Sequence, residues 1–254
     1  MLERLFIPLI IAFQLLTRIP TPQISHITPK QLGTSLLFYP LVGSVIGVVL
    51  LLLGWLFSTV STEVTAAILL ISWVVITGAL HIDGLGDSAD AWIGGYGNPQ
   101  RTLELMKDPY CGPAAVSSIV MLMIAKYAAL QAVLEDAHYL LLFIAPFLSR
   151  TFILLLFLTT PYVRQNGMGA SLAQHLPTRY AWSIFLVCSV LLLLLLQWNG
   201  FLILTCAVIA FFALRYWMIQ RIGGTTGDTA GAMIEILELV LLLRFIILGL
   251  GSSE

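Results

Sequence analysis

Ala181-Trp-Ser-Ile-Phe-Leu-Val-Cys-Ser-Val-Leu-Leu-Leu-Leu-Leu-Leu-Gln-Trp198 and Phe201-Leu-Ile-Leu-Thr-Cys-Ala-Val-Ile-Ala-Phe-Phe-Ala-Leu-Arg-Tyr-Trp-Met-Ile219 are two apolar runs parted only by Asn199-Gly200. Together they carry a single charge, Arg215. Each is close to the roughly 20 residues that a helix needs to cross a bilayer. Helix is also the form that leaves no backbone group unpaired in lipid. The same pattern recurs at Leu36–Phe57, Val64–Leu80, Pro113–Leu134, Tyr139–Thr160 and Glu235–Leu250. Leu5–Thr17 is shorter and interrupted by Pro8, so it is expected to lie in the interface or dip into it. It lacks a small-residue cleavage site and is read as retained.

Composition agrees with the runs. Of 254 residues, 59% are hydrophobic and 10% charged, against about 25% charged in soluble domains. So few charges cannot wet the surface of a soluble globule, and disorder is excluded on the same ground. A net charge of −1 excludes a basic nucleic-acid surface. Cys111, Cys188 and Cys206 form neither a disulfide framework nor a zinc pattern. The expectation is an all-α polytopic membrane protein: one integral membrane catalytic domain over residues 1–254, with about seven transmembrane helices and a short N-terminal helix. Loops alternate between those holding Lys or Arg and those holding none, which predicts that the long polar loops face the cytoplasm.

Two of those loops concentrate acids and glycines. In His81-Ile-Asp-Gly-Leu-Gly-Asp-Ser-Ala-Asp90, residues Asp83, Asp87 and Asp90 fall at i, i+4 and i+7 and would share one helix face. Stacked like charges invite a cation, and hard carboxylate oxygens suit Mg²⁺ or Mn²⁺. A solvated helix start is the plainer alternative. The second loop, Gly223-Gly-Thr-Thr-Gly-Asp-Thr-Ala-Gly231, reads as a phosphate cradle before a helix N-terminus, with Gly224, Thr226, Gly227 and Asp228 in it and Glu235 and Glu238 beyond. A flexible connector is the alternative there. Between the loops, Arg101, Glu104, Lys107 and Asp108 recur at helical spacing up to Pro109. They suit either a diphosphate site or an amphipathic helix with its own ion pairs. Lys126 and Arg150 lie inside apolar runs and should face the bundle interior.

Eight of the thirteen acids, namely Asp83, Asp87, Asp90, Glu104, Asp108, Asp228, Glu235 and Glu238, belong to these loops and the helix starts they feed. Carboxylates with Mg²⁺ suit a diphosphate substrate. Three readings follow from the residues: a phosphotransferase expelling a nucleoside monophosphate, a prenyltransferase with Asp-rich motifs, and an ion-coupled transporter. The second loop has one Asp where a prenyltransferase would have several, and a transporter would place its charges nearer mid-membrane. The phosphotransferase fits best.

Leu16-Thr-Arg-Ile-Pro-Thr-Pro22, Phe38-Tyr-Pro-Leu-Val-Gly43, Gly78-Ala-Leu-His-Ile-Asp-Gly-Leu-Gly-Asp-Ser-Ala-Asp90, Leu103-Glu-Leu-Met-Lys-Asp108 and Gly224-Thr-Thr-Gly-Asp-Thr-Ala-Gly-Ala232 occur together and in order. In these stretches the chain resembles the adenosylcobinamide-GDP ribazoletransferase family, the cobalamin (cobalamin-5′-phosphate) synthases. Spaced Asp after Asp-Gly is shared loosely with CDP-alcohol phosphotransferases. Ala115 stands where the family often has glycine.

The resemblance implies a reaction and its parts. A hydroxyl of α-ribazole, or of its 5′-phosphate, attacks adenosylcobinamide-GDP, releases GMP and forms adenosylcobalamin or its 5′-phosphate. Mg²⁺ is the implied cofactor, held by Asp83, Asp87, Asp90 and Asp228. Arg101 and Lys107 are implied for the diphosphate. His81, Glu104, Asp108 and Glu235 form a second rank from which a base is drawn. The implied setting is the bacterial cytoplasmic (inner) membrane, with small-molecule substrates, a lipid bilayer and no nucleic acid as partners. A homo-oligomer and an association with other nucleotide-loop assembly enzymes stay open.

Overall fold

Pro29 opens the first well-capped helix of the chain. Thr28 accepts a hydrogen bond from the Gln31 backbone N–H at 3.3 Å, and the Gln31 side chain accepts from the Thr28 N–H at 2.8 Å, a reciprocal box that satisfies two orphan donors. The computed structural model describes residues 3–164 and 167–247, and their regular structure is helical apart from a lone bridge between Tyr162 and Thr225. In chain order the helices are α1 (Glu3–Leu16), α2 (Pro29–Ser35), a 3₁₀ turn (Leu36–Phe38), α3 (Tyr39–Leu56), α4 (Thr62–Thr77), α5 (Leu80–Gly94) and α6 (Pro99–Leu105). They continue with α7 (Pro113–Glu135), α8 (Leu140–Thr159), α9 (Met168–Gln174), α10 (Thr178–Ile222) and α11 (Gly227–Ile247).

The apolar runs became helices, with changes at their ends. Among the described residues, four stretches are long and apolar enough to cross a membrane: Pro29–Leu56, α7, α8 and α10. A fifth arises if α4 and α5 count as one broken crossing. They do not continue one another. Gly78 (φ 63°) and Ala79 (φ 57°) both adopt left-handed backbone, and α5 leaves α4 at 86°. The stretch from His81, expected as a loop, is therefore helical, and α5 turns sharply away from the axis of α4.

α10 would be about 68 Å long if straight, more than twice a bilayer core. It reverses instead. Gln197 has φ 48° and ψ −120°, and a Cβ on Gly200 would lie 2.5 Å from the Leu192 carbonyl oxygen. Both arms then reach one side chain: the Phe152 ring sits 5.5 Å from Phe185 and 5.6 Å from Phe211. The two runs around Asn199-Gly200 are these arms, with the turn two residues earlier than the polar pair marks it. α11 begins at Gly227, upstream of the expected Glu235 start, and its charged residues keep it off the apolar tally. Residues 248–250 of that expected run lie outside the described residues.

Small residues set how closely the bundle packs. A Cβ on Gly43 would meet the Pro146 carbonyl oxygen at 2.3 Å, and one on Gly47 would meet Phe143 Cα at 2.7 Å. The four-residue spacing puts both glycines on one face of α3, so its backbone rests directly on α8. The core (among others Leu36, Val42, Ile46, Leu69, Leu130, Leu148, Leu237 and Leu241) is fully buried. Leu195, Trp55, Ile124 and Ile71 instead point outward and are more than 60% exposed. Apolar side chains on the outside of a helical bundle suit lipid, and the chain reads as a multi-pass membrane protein. Short α1 docks on α2 and α3, with Ile11, Ala12 and Leu16 buried.

Candidate active site at the crossing of two helices

α5 and α11 cross where each has a glycine. A Cβ on Gly84 would lie 2.7 Å from the Asp228 carbonyl oxygen, and one on Gly231 would lie 3.2 Å from His81 Cα. A side chain at Gly84 would push the helices apart, and one at Gly231 would press on the α5 backbone. The crossing brings Asp83 and Asp87 of α5 beside Asp228 in the first turn of α11. Gly86, two residues further along α5, instead packs on Ala115 of α7. That alanine sits in the first turn of α7 and is buried there.

A cavity of about 370 Å³ opens at the crossing. Its wall includes His81, Asp83, Gly84, Gly227, Asp228, Tyr162 and Arg164. Asp83 is exposed, and Asp87 and Asp228 are half-buried. Partial burial, then the negative charges of Asp83 and Asp228, push the Asp87 carboxyl up to about 6. Only Arg164 opposes this among the neighbours that act on it. Such strain among carboxylates is what a divalent cation would relieve. Among the described residues, no three Asp, Glu, His or Cys side chains converge on one point. Mg²⁺ does not require that, since it is ordinarily held by one or two carboxylates with water and substrate phosphate oxygens. Asp83, Asp87 and Asp228 fit that kind of site by donor type, and any one or two of them could supply its carboxylates.

Asp90 points elsewhere. Its carboxylate accepts from the Gly112 N–H at 2.6 Å and the Ala115 N–H at 3.0 Å, capping the start of α7. The helix register puts it on the face of Asp83 and Asp87, but α7 engages both its oxygens. Asp90→Ala should therefore lower stability by about 1 kcal/mol, the usual value of an N-cap, while Asp90→Asn keeps an acceptor and costs less. Melting in detergent micelles checks both, and an unchanged midpoint for Asp90→Ala would contradict the capping role.

The second loop is more tightly engaged than a cradle. The Val163 N–H donates to the Thr225 carbonyl at 3.0 Å, and the Thr225 N–H to the Pro161 carbonyl at 2.8 Å. A Cβ on Gly224 would sit 2.1 Å from the Pro161 oxygen, so this glycine serves the loop contact. The Thr226 N–H donates to Thr229 Oγ1 at 2.9 Å and the Thr229 N–H to Thr226 Oγ1 at 3.2 Å, which caps α11. Gly227 is exposed and lines the cavity. Of Gly224, Thr226 and Gly227, the fold thus brings only Gly227 to the opening.

The loop pairing also fixes a residue that the motifs did not single out. Arg164 Nη2 lies 2.7 Å from Asp228 Oδ2 and donates to the Met106 carbonyl at 3.3 Å. Among the described residues it is the only Lys or Arg lining this cavity, and it also lines an adjoining one of about 600 Å³. In the sequence it is one of two bases, with Arg179, in the loop 161–180, and its only signal was its count toward that loop's positive charge. Arg101 and Glu104 form an exposed pair at 3.4 Å. α6 ends at Leu105, so Lys107 and Asp108 lie beyond the helix that their spacing predicts, and Asp108 accepts from the Tyr110 N–H at 3.1 Å. None of these four lines the cavity.

Glu235 and Glu238 run the other way, into the core. Lys126 Nζ lies 2.6 Å from Glu235 Oε2 and also contacts Glu238, which pairs with Arg150. Lys126 further sits 4.7 Å from the Trp73 ring centre. Two cations and two carboxylates neutralise one another across α7, α8 and α11. The inward direction of Lys126 and Arg150 was expected from the sequence, and their partners were not.

Comparison with known proteins agrees with this architecture. A family model described as Cobalamin-5-phosphate synthase matches residues 8–247. An adenosylcobinamide-GDP ribazoletransferase of Pseudomonas fluorescens (strain Pf0-1) is 48% identical over 236 residues, covering 93% of this chain and 97% of the relative. Those of Stutzerimonas stutzeri (strain A1501) and Pseudomonas syringae pv. syringae (strain B728a) are 49% and 45% identical, covering 93% and 95% of this chain and 96% and 100% of the relatives. No solved structure matches the chain. A match from residue 8 to residue 247, with relatives near half identity over almost their full length, places the chain in the cobalamin-5-phosphate synthase family, to which it belongs.

Proposed function

We propose that this chain joins adenosylcobinamide-GDP to α-ribazole or its 5′-phosphate, releasing GMP and forming adenosylcobalamin or its 5′-phosphate. The observation that carries the reading is the gathering of Asp83, Asp87 and Asp228 around Arg164 at the glycine crossing, in a chain of this family. An acceptor hydroxyl oxygen forms a bond to the corrinoid-side phosphorus, the P–O bond to GMP breaks, and the hydroxyl proton leaves to a base. Asp83, Asp87 and Asp228 would hold Mg²⁺. When bound, that ion neutralises phosphoryl oxygens and the departing phosphate. Arg164, paired with Asp228 and lining the cavity where Arg101 and Lys107 do not, would neutralise the diphosphate. The cavity has room for part of such a substrate, with the corrinoid remaining outside it. The alternation of basic loops supports an inner-membrane location with this end toward the cytoplasm.

The deciding assay uses purified protein in detergent with adenosylcobinamide-GDP, α-ribazole and Mg²⁺. GMP and a cobalamin product in equal amounts are expected. Absence of both, with diphosphate release from an isoprenoid substrate instead, overturns the reading.

Asp87 gives this reaction a pH signature. Its carboxyl titrates near 6 rather than at the ordinary 3.8, so protons compete with metal in that range. The Mg²⁺ concentration for half-maximal turnover should rise steeply as pH falls through about 6 and level off above it. Without metal the sign at Asp87 is opposite for stability. The folded state binds its proton more tightly than the unfolded one, so this contribution falls as pH rises from about 4 to about 6. Mg²⁺ titrations at several pH values check the first effect and metal-free melting checks the second.

A further inference from the structure

His81 is 3% exposed at the start of α5 and lies on the cavity wall. Its Nδ1 is 3.5 Å from Arg150 Nη2. A guanidinium has N–H donors and no acceptor, so Nδ1 meets it with a lone pair and carries no proton. Arg150 is itself fixed by Glu238, which also pairs with Lys126, and by Ser149 Oγ at 3.0 Å from its Nη1. The cluster is neutral with two cations and two carboxylates. A charged imidazole would add a third cation, so the ring stays neutral and its proton sits on Nε2. That nitrogen is buried and has no hydrogen-bond partner among the described residues.

We propose that His81 is a fixed hydrogen-bond donor, presenting Nε2–H to a phosphoryl oxygen of a nucleoside diphosphate in the cavity, with Arg150 as the positioning residue that sets its tautomer. This rests on the transferase reading and sharpens it. A ring already protonated at Nε2 cannot accept the acceptor hydroxyl's proton there, so His81 is not the base. A preorganised donor that is itself buried stabilises the charge that grows on the oxygens during transfer.

Glutamine and asparagine separate the two ring nitrogens. A Gln side chain can place an amide N–H near the Nε2 position, whereas Asn reaches only as far as Nδ1. His81→Gln should keep kcat/KM within about tenfold of wild type, while His81→Asn and His81→Ala should lose about 10²–10³-fold, the usual effect of deleting one such donor. GDP with Mg²⁺ serves as a binding probe that is independent of turnover. His81→Gln should bind it within about threefold of wild type, and the other two at least tenfold more weakly, a loss of about 1.4 kcal/mol. ¹⁵N spectra of histidine-labelled protein should show Nε2 of His81 as the protonated nitrogen, assigned by its disappearance in His81→Gln. The proposal is overturned by an Nδ1-protonated ring, or by His81→Gln matching His81→Ala in GDP binding. Absence of ribazole transfer in the wild type sinks the transferase reading alone, because the spectra and the GDP ranking still decide the role of His81.

Discussion

Asp83→Asn and Asp87→Asn should each abolish GMP release while leaving the protein folded in its membrane. Both side chains stand at the α5–α11 crossing, and a metal ion held there contributes several kcal/mol to charge stabilisation in phosphoryl transfer. At about 1.4 kcal/mol per tenfold, that is a loss of about 10³-fold or more in turnover. Stability should move the opposite way at Asp87. Its carboxylate is repelled by Asp83 and Asp228, so a neutral amide of the same shape removes repulsion. Metal-free Asp87→Asn should melt at or slightly above the wild-type temperature and gain less from added Mg²⁺. Loss of activity with a raised or equal melting point separates a ligand from a structural residue. Near-normal turnover in either variant at saturating Mg²⁺ would remove that residue from the metal site.

Lys126→Met should produce the largest loss of stability. Glu235 and Glu238 are both nearly inaccessible, and removing the ammonium leaves two buried carboxylates facing the single guanidinium of Arg150. Breaking a buried ion pair from one side costs about 3–5 kcal/mol. Replacing both partners with neutral groups costs far less, because no charge is stranded. Lys126→Met/Glu235→Gln leaves Arg150 with Glu238 and should recover most of the loss. Melting and expression of the single and double variants measure this. Equal melting points for the two would mean that Lys126 contributes packing alone.

Several of these features could be read directly from the chain. The apolar runs fixed the helical class because a backbone in lipid must satisfy its own hydrogen bonds. The spacing of Asp83, Asp87 and Asp90 fixed their common face once the segment was helical, and the second loop was legible as leading into a helix, though that helix starts further upstream, at Gly227, than its apolar run marks. The reversal in α10 was legible as a need, since one unbroken helix would outrun the bilayer, but Gln197 carries no turn signature that would place it there.

Partners across the fold were not legible. Spacing says which side chains share a face and is silent on which element covers that face. Asp90 shares a face with Asp87, yet α7 happens to start beside it, so its oxygens hold backbone N–H groups. Glu235 follows a loop that resembles a phosphate site, yet the next turn of α11 carries it inward to Lys126, more than a hundred residues earlier in the chain. Arg164 belongs to no motif and reaches Asp228 only because residues 161–163 pair with Thr225.

What the sequence determined by itself is therefore the membrane class, the helices and the concentration of acid in two short stretches, all of which follow from local length, polarity and spacing. Only the tertiary structure decided which acids meet. Two glycines, Gly84 and Gly231, lie 147 positions apart, and their missing side chains let α5 and α11 touch. That steric fit gathers Asp83, Asp87 and Asp228, and the buried pairing of Lys126, Arg150 and two glutamates sets the histidine beside them.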